Sequence, residues 1–405
     1  MEPFLEQIVN FFDFKGIQTT GVYFRLFSVF SVTLCILGSA LCLATQYFGD
    51  PIVCSFTTDV AVDLAKQYCW IHGSSLISSK YKELDCVTRQ DQYPDPKDAP
   101  TTAYYQWIPF VLLLHSAIFA IPAKIWSSLE NGLLDDLISK ETRKSTLLSD
   151  GEEFRKEKET LITRFNSLLH HNDFYYAYYC MCEILNLVGL IFNFVITDKI
   201  LNGKFHHYGF DVMTYLQTPA QLQGFNPMCD TFPTTVSCEF KYVAPTGGLT
   251  TANGFCILSQ NIVNEKVFLF LYFWYICLFI VSGINLFYHA SVWFINESRV
   301  KVLEIRLRGR FGRLQVRSAL VNFYIGDWFI LTRIASNTNR FFFQEFLADL
   351  IKNDQLNTRN GPKPESYELQ RQPPSASSSP DIGLNHRGTP SCPSPKNDEK
   401  NRLMV

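Results

Sequence analysis

Six cysteines in two groups of three are the residues of this chain best suited to covalent chemistry. Cys54, Cys69 and Cys86 fall in one polar segment, and Cys229, Cys238 and Cys256 fall in another. Thiols grouped this way bind metal, attack substrates or oxidise to disulfides. Zinc is disfavoured, because no CxxC pair occurs and at least 14 residues separate neighbouring cysteines of the first group. Nucleophilic catalysis lacks companions. The chain holds no phosphate-binding glycine loop, nucleophile elbow or HExxH helix. We therefore expect neither an enzyme nor a bound cofactor or metal. Disulfides remain. Bridges closed within a segment would strand one thiol in each. The symmetry of three against three suggests bridges between the segments, each stabilising by about 2–4 kcal/mol. Cysteines 35, 42, 180, 182 and 277 lie in apolar runs and read as packing residues, and Cys392 is near the end.

Glu183 is the second chemical candidate, an ionisable group inside an apolar run with Asn186 one turn on. Exposing such a group to lipid costs about 2.5–3.5 kcal/mol or more, so it faces a bundle interior or a water path. Two roles fit: a pore or gating residue, and a hydrogen-bonded helix-packing residue, the commoner use. His115 invites the same choice. The pairs His170–His171 and His206–His207 have no acidic or cysteine partner at metal-ligand spacing.

These residues must be positioned by membrane spans. The chain has 405 residues, 47% hydrophobic and 15% aromatic, and the apolar ones are concentrated in four runs. YYQWIPFVLLLHSAIFAIPAKIW belongs to a stretch of 25 uncharged residues, Ala99 to Ala123. That is enough to cross a core of about 30 Å. Tyr104, Tyr105 and Trp107 mark its entry with rings that favour the headgroup level. Pro109 and Pro122 lie inside it, as membrane helices permit. We divide the chain into an arm at 1–23 and spans at 24–47, 104–126, 174–197 and 267–293. The joining segments are 48–103, 127–173 and 198–266. A soluble helical region at 294–356 and a disordered tail at 357–405 follow. The apolar run after the arm reads as a retained span, since Glu2, Glu6 and Asp13 precede it and no basic leader does.

Orientation follows from charge. Segments 1–21, 127–173 and 294–313 carry 14 Lys and Arg in 88 residues, against 9 in 127 for segments 48–104 and 197–266. The denser set is expected in the cytoplasm, with both termini. The six cysteines then face the oxidising exterior, where disulfides persist. A net charge of −2 with only local basic clusters argues against a nucleic-acid partner. Membrane lipid is the partner that composition implies.

Several motifs resemble the innexin family, the gap-junction proteins of invertebrates. Tyr104, Tyr105, Gln106 and Trp107, followed by Pro109, match the signature at the head of its second span. GDPIVC at 49–54, QYCWIHG at 67–73, CEILNLVG at 182–189 and NIVNEKVFLFLYFWY at 261–275 are similar to family segments. So are GDWFILTRIASNTN at 326–339 and EFLADL at 345–350. The resemblance implies an α-helical membrane protein: a four-transmembrane-helix protomer with disulfide-bonded extracellular loops and a cytoplasmic helical domain.

It further implies a homo- or hetero-oligomer with other innexins. Eight protomers would ring a pore as a hemichannel, and two hemichannels would dock through their outer loops at cell–cell junctions of the plasma membrane. Ions and small metabolites would pass. The implied bridges are Cys54–Cys256 and Cys69–Cys238. Cys86 and Cys229 exceed the family's two cysteines per loop, and a third bridge between them is our own hypothesis. The implied pore-lining residues are those of the arm, including Met1, Glu2, Phe4, Glu6 and Asp13. Repeated around a ring, its carboxylates would favour cations. Two alternatives are an unpaired hemichannel releasing ions or ATP, and a non-conducting four-span adhesion or scaffold protein. Trp107→Ala is expected to disturb assembly or docking more than conductance.

Overall fold

A long uncharged run can satisfy its backbone polar groups inside a bilayer as a helix, and all four apolar runs take that form. The computed structural model describes residues 17–56, 60–77, 86, 101–138, 151–172, 174–219, 221–244, 246–307, 313–320 and 323–360. The candidate pore-lining residues Met1, Glu2, Phe4, Glu6 and Asp13, and the tail beyond 360, lie outside the described residues.

In chain order, helix α1 (Val22–Phe48) leads to strand β1 (Val53–Phe56), helix α2 (Val62–His72) and strands β2 (Ser74–Leu76) and β3 (Thr101–Thr102). A 3-10 turn, Tyr104–Gln106, opens helix α3 (Ile108–Glu130). Helices α4 (Leu133–Leu137) and α5 (Gly151–Leu168) precede α6 (Tyr175–Ile200). Helices α7 (Phe205–Gln217) and α8 (Pro227–Thr231) and the hairpin of β4 (Thr235–Val243) and β5 (Leu249–Ile257) lead to α9 (Ser259–Phe294). Helices α10 (Asn296–Leu307), α11 (Arg313–Leu320), α12 (Ile325–Asn337) and α13 (Arg340–Asn360) follow.

The four membrane-length helices are α1, α3, α6 and α9, of 27, 23, 26 and 36 residues. They close into a bundle, α1 packing on α3, α3 on α6, α6 on α9, and α9 on α1. Its middle is filled by Phe27, Cys35, Leu112, Phe119, Leu190 and Tyr275 among others. Helix α1 is not uniform: Leu26–Ser31 is a π-helical segment. The Ser31 hydroxyl donates to the carbonyl of Leu26 at 2.8 Å and accepts from the Trp274 indole N–H at 2.9 Å, so the irregular backbone is satisfied inside the protein. Helix α9 starts at Ser259, ahead of the uncharged run that begins after Lys266. Its extra turns carry the fully buried amides Gln260, Asn261 and Asn264.

At one end of the bundle, α10, α12 and α13 pack with α4 and α5 around Trp126, Phe165, Tyr176, Leu303, Trp328 and Phe346. At the other end stands an antiparallel sheet of order β1-β5-β4-β2-β3. Three of its strands come from the first loop and two from the second. The alternation in TVSCEFKYV turns Val236, Cys238 and Phe240 inward. The hairpin reverses at 244–248, where Gly247 has φ +82°.

Candidate functional site

The sheet brings the six loop cysteines together, and every bridge joins the first loop to the second. Cys54 and Cys256 are cross-strand partners in β1 and β5, with Cα atoms 4.1 Å apart. Cys69 on α2 is bonded to Cys238 on β4 across 5.8 Å, and Cys86 to Cys229 on α8 across 4.7 Å. The sulfurs of Cys54, Cys69 and Cys256 lie within 4.8 Å of one another, a separation a metal could span. All three are consumed in disulfides, so none offers the thiolate that ligation needs.

The signature Tyr104–Gln106 forms the joint between this domain and the bundle. Tyr105 is fully buried among the disulfides, its ring 4.8 Å from that of Trp70. Its carbonyl accepts from Gln46 Nε2 of α1 at 3.2 Å. The Gln106 amide donates to the Trp70 carbonyl of the first loop. The Tyr104 hydroxyl donates to the carbonyl of Thr231 in the second loop at 3.3 Å, and Asn261 Nδ2 donates to that hydroxyl at 3.3 Å. One short turn thus touches two spans and both loops. Trp107 is placed differently: it is 65% exposed, and its ring is 6.0 Å from Phe110.

Asn261 extends the joint into a lattice of amides. It donates to the Pro233 carbonyl at 2.7 Å and accepts from Asn264 at 3.2 Å. Gln260 Nε2 reaches both Asn264 Oδ1 at 3.2 Å and the Cys42 carbonyl at 3.3 Å. The sequence reading placed Asn261 and Asn264 in a family-like segment without giving them a role, and passed over Gln260. The signal was three amides packed just ahead of the longest apolar run, where one helical face would have to bury them.

Deeper in the bundle, Glu183 is buried and paired with His289 Nε2 of α9. Asn285 Nδ2 donates to Glu183 Oε2 at 2.8 Å. The other ring nitrogen of His289 is 2.7 Å from the Tyr176 hydroxyl and 3.5 Å from Cys180 Sγ. With Nε2–H donating to the carboxylate, Nδ1 accepts from Tyr176, and the cluster is satisfied as a chain across α6 and α9. Asn186 is buried one turn away, with neither side-chain atom hydrogen-bonded among the described residues. His115 bonds the Tyr275 hydroxyl at 3.0 Å inside the same bundle. His289 was invisible to sequence reading because its partner is 106 positions away, and only helix packing makes them neighbours.

The entry to α1 is held from two sides. Gly21 N–H donates to the Tyr179 hydroxyl at 3.1 Å. Asn337 of α12 bonds both backbone groups of Gln18. The Arg333 guanidinium stacks 4.8 Å from the Tyr179 ring centroid and 4.5 Å from that of Phe329. Beside it, burial pulls the Arg306 guanidinium below its usual range, and the Arg333 charge adds to the effect. Of the sequence candidates, the structure thus gathers the cysteines with Tyr104, Tyr105 and Gln106. Glu183 and Asn186 lie apart from them, in the bundle.

A family model described as Innexin matches residues 21–353. Innexin inx2 of Drosophila melanogaster is 31% identical over 338 residues, which cover 81% of this chain and 89% of that protein. Innexin shaking-B of the same fly is 31% identical over 351 residues, 84% of this chain and 92% of its own. Innexin inx1 of Schistocerca americana is 29% identical and is matched over 100% of its length, across 89% of this chain.

Proposed function

The chain belongs to the innexin family, and from that premise we propose that it is a subunit of an intercellular gap-junction channel. Protomers assemble in the plasma membrane into a ring, of eight by the family's pattern. Two rings dock across the gap between cells, and ions and small metabolites pass. The loops at 48–103 and 198–266 face outward. The segments at 1–23, 127–173, 294–356 and 357–405 lie in the cytoplasm, with the leading arm in the pore.

The observation that carries this reading is the three-disulfide sheet domain at one end of the bundle. A surface that must meet its counterpart on another cell gains affinity from being rigid before contact. Three covalent ties between loops that also share one sheet supply that rigidity. The hairpin tip adds a contact surface: Val243 and Leu249 are cross-strand partners and both are exposed. The excess of Lys and Arg in the segments opposite the disulfides supports the orientation.

Dual voltage clamp of paired cells expressing the chain tests the proposal. Junctional current between the two cells is the expected result. Current across single-cell membranes without junctional current would favour an unpaired hemichannel, and no current in either arrangement would favour a scaffold.

A further inference from the structure

Helix α7, which begins the second loop, carries an apolar flank that no described residue covers. Phe210 and Leu216 are each 59% exposed, and Met213 between them is exposed as well. At helical spacing these three share one side. Thr214, His207 and Asp211 lie on the other side of Phe210, the exposed His206 and Gln217 lie near the two ends of the helix between the lines of Phe210 and Met213, and Phe205, Tyr208, Gly209 and Val212 face inward and are buried.

Contacts with α9 fix the depth of this flank. The Tyr272 hydroxyl donates to the carbonyl of His206 at 3.0 Å, and the Tyr208 hydroxyl donates to the carbonyl of Glu265 at 3.0 Å. The Phe210 ring lies 5.8 Å from that of Tyr272. Glycine at 209 permits this approach, since a Cβ there would collide with the Tyr272 ring. Tyr272 is about 9 Å along α9 beyond Lys266, the last charge before the membrane run. Phe210 is therefore level with the apolar surface of the spanning bundle, too deep to meet an opposing cell. The Tyr272 ring is also 5.5 Å from that of Phe273, which is exposed on α9. Tyr272 itself is buried, and the exposed Phe210 and Phe273 stand on either side of it.

We propose that α7 is an interfacial helix whose Phe210–Met213–Leu216 flank is seated among phospholipid acyl chains, in the leaflet on the disulfide side. Apolar side chains of such helices sit about 5–10 Å into the boundary between headgroups and chains. His207 and Asp211 then face the headgroups and water. The second loop is held by lipid at its start and by disulfides further on, so the bilayer sets the angle at which the sheet domain stands. The inference rests on α9 spanning the membrane and not on docking or conduction.

Photo-crosslinking tests it. The full chain is prepared with benzoylphenylalanine in place of Phe210 or, separately, of His207. Each form is purified as the same oligomer as the unmodified chain, reconstituted in phosphatidylcholine vesicles and irradiated. A lipid-mass adduct at 210, exceeding that at 207 by about tenfold, is expected. A crosslinked pair of chains through position 210 would overturn the proposal in favour of a protomer interface. Equal lipid adducts at both positions, or none at 210, would also overturn it.

Discussion

The side chain of Asn337 holds the backbone of Gln18 by both edges. Its Oδ1 accepts from the Gln18 N–H at 2.6 Å, and its Nδ2 donates to the Gln18 carbonyl at 3.0 Å. The two residues are 319 positions apart, and the pairing ties α12 to the chain just ahead of α1. If the leading arm reaches the pore, α12 sets its root. Asn337→Ala removes both bonds, worth about 1 kcal/mol at this exposure, or about a fivefold shift between arm positions. The expected result is a displaced midpoint of the junctional conductance–voltage curve with unchanged thermal stability. An unmoved midpoint would show that the contact has no part in gating.

Glu183→Ala leaves His289 and Asn285 without their acceptor inside the bundle. The expected loss is about 2 kcal/mol, with less for Glu183→Gln, which keeps an acceptor for Asn285. Thermal melts of the detergent-solubilised protein should rank wild type above Gln and Gln above Ala. Equal melting of all three would remove the cluster from the packing account.

Tyr105 and Trp107 should part company despite their adjacency. Tyr105→Ala empties a fully buried site among the disulfides and should cost about 3–5 kcal/mol, close to the whole stability of many domains. Trp107→Ala should change protomer stability by no more than about 0.5 kcal/mol, because its ring is largely outside the fold. Surface biotinylation reads the first effect as lost delivery. Any Trp107 effect should appear in oligomer size and not in melting.

Removing the Cys69–Cys238 bridge as a paired alanine variant should be worse than removing Cys86–Cys229. Both lose a covalent tie worth about 2–4 kcal/mol. Cys69 and Cys238 also belong to the loop-domain core with Tyr105 and Val236, and that packing is lost with them. Non-reducing peptide maps and melting temperatures of the two variants provide the comparison. A larger loss for Cys86–Cys229 would contradict this ranking.

Val243→Asp and Leu249→Asp place charge on the exposed pair at the hairpin tip, outside the core. Junctional current should fall at least about tenfold if this tip meets its counterpart, since an unpaired buried charge costs more than about 1.4 kcal/mol. Oligomer size and surface level should not change. Undiminished coupling would move the docking surface elsewhere.

Much of the fold was legible because one physical constraint dominates it. An uncharged run long enough to cross a bilayer has to be a helix there, so length and charge alone located four spans. The loop sheet was not read from the sequence: TVSCEFKYV alternates, but its pairing with β5 and β2 is what makes it a strand. The helix lengths carried less information. Helix α9 runs ahead of its uncharged stretch because Asn261 bonds the Pro233 carbonyl of the second loop, Gln260 the Cys42 carbonyl of α1, and Asn264 both other amides, which hydropathy does not register. The π segment of α1 likewise depends on Trp274, far along the chain.

The sequence by itself therefore determined the membrane class, the four spans, the family and the presence of six thiols in two loops. Each of these is a local or additive property. Tertiary structure alone decided that Tyr105 is buried while Trp107 is not, and that Glu183 finds His289. Those depend on sheet register and helix rotation, where a shift of one residue turns a side chain to another face. The YYQW signature shows the division plainly: its three aromatic residues read alike as an interfacial belt, and only packing separates the buried joint from the exposed ring.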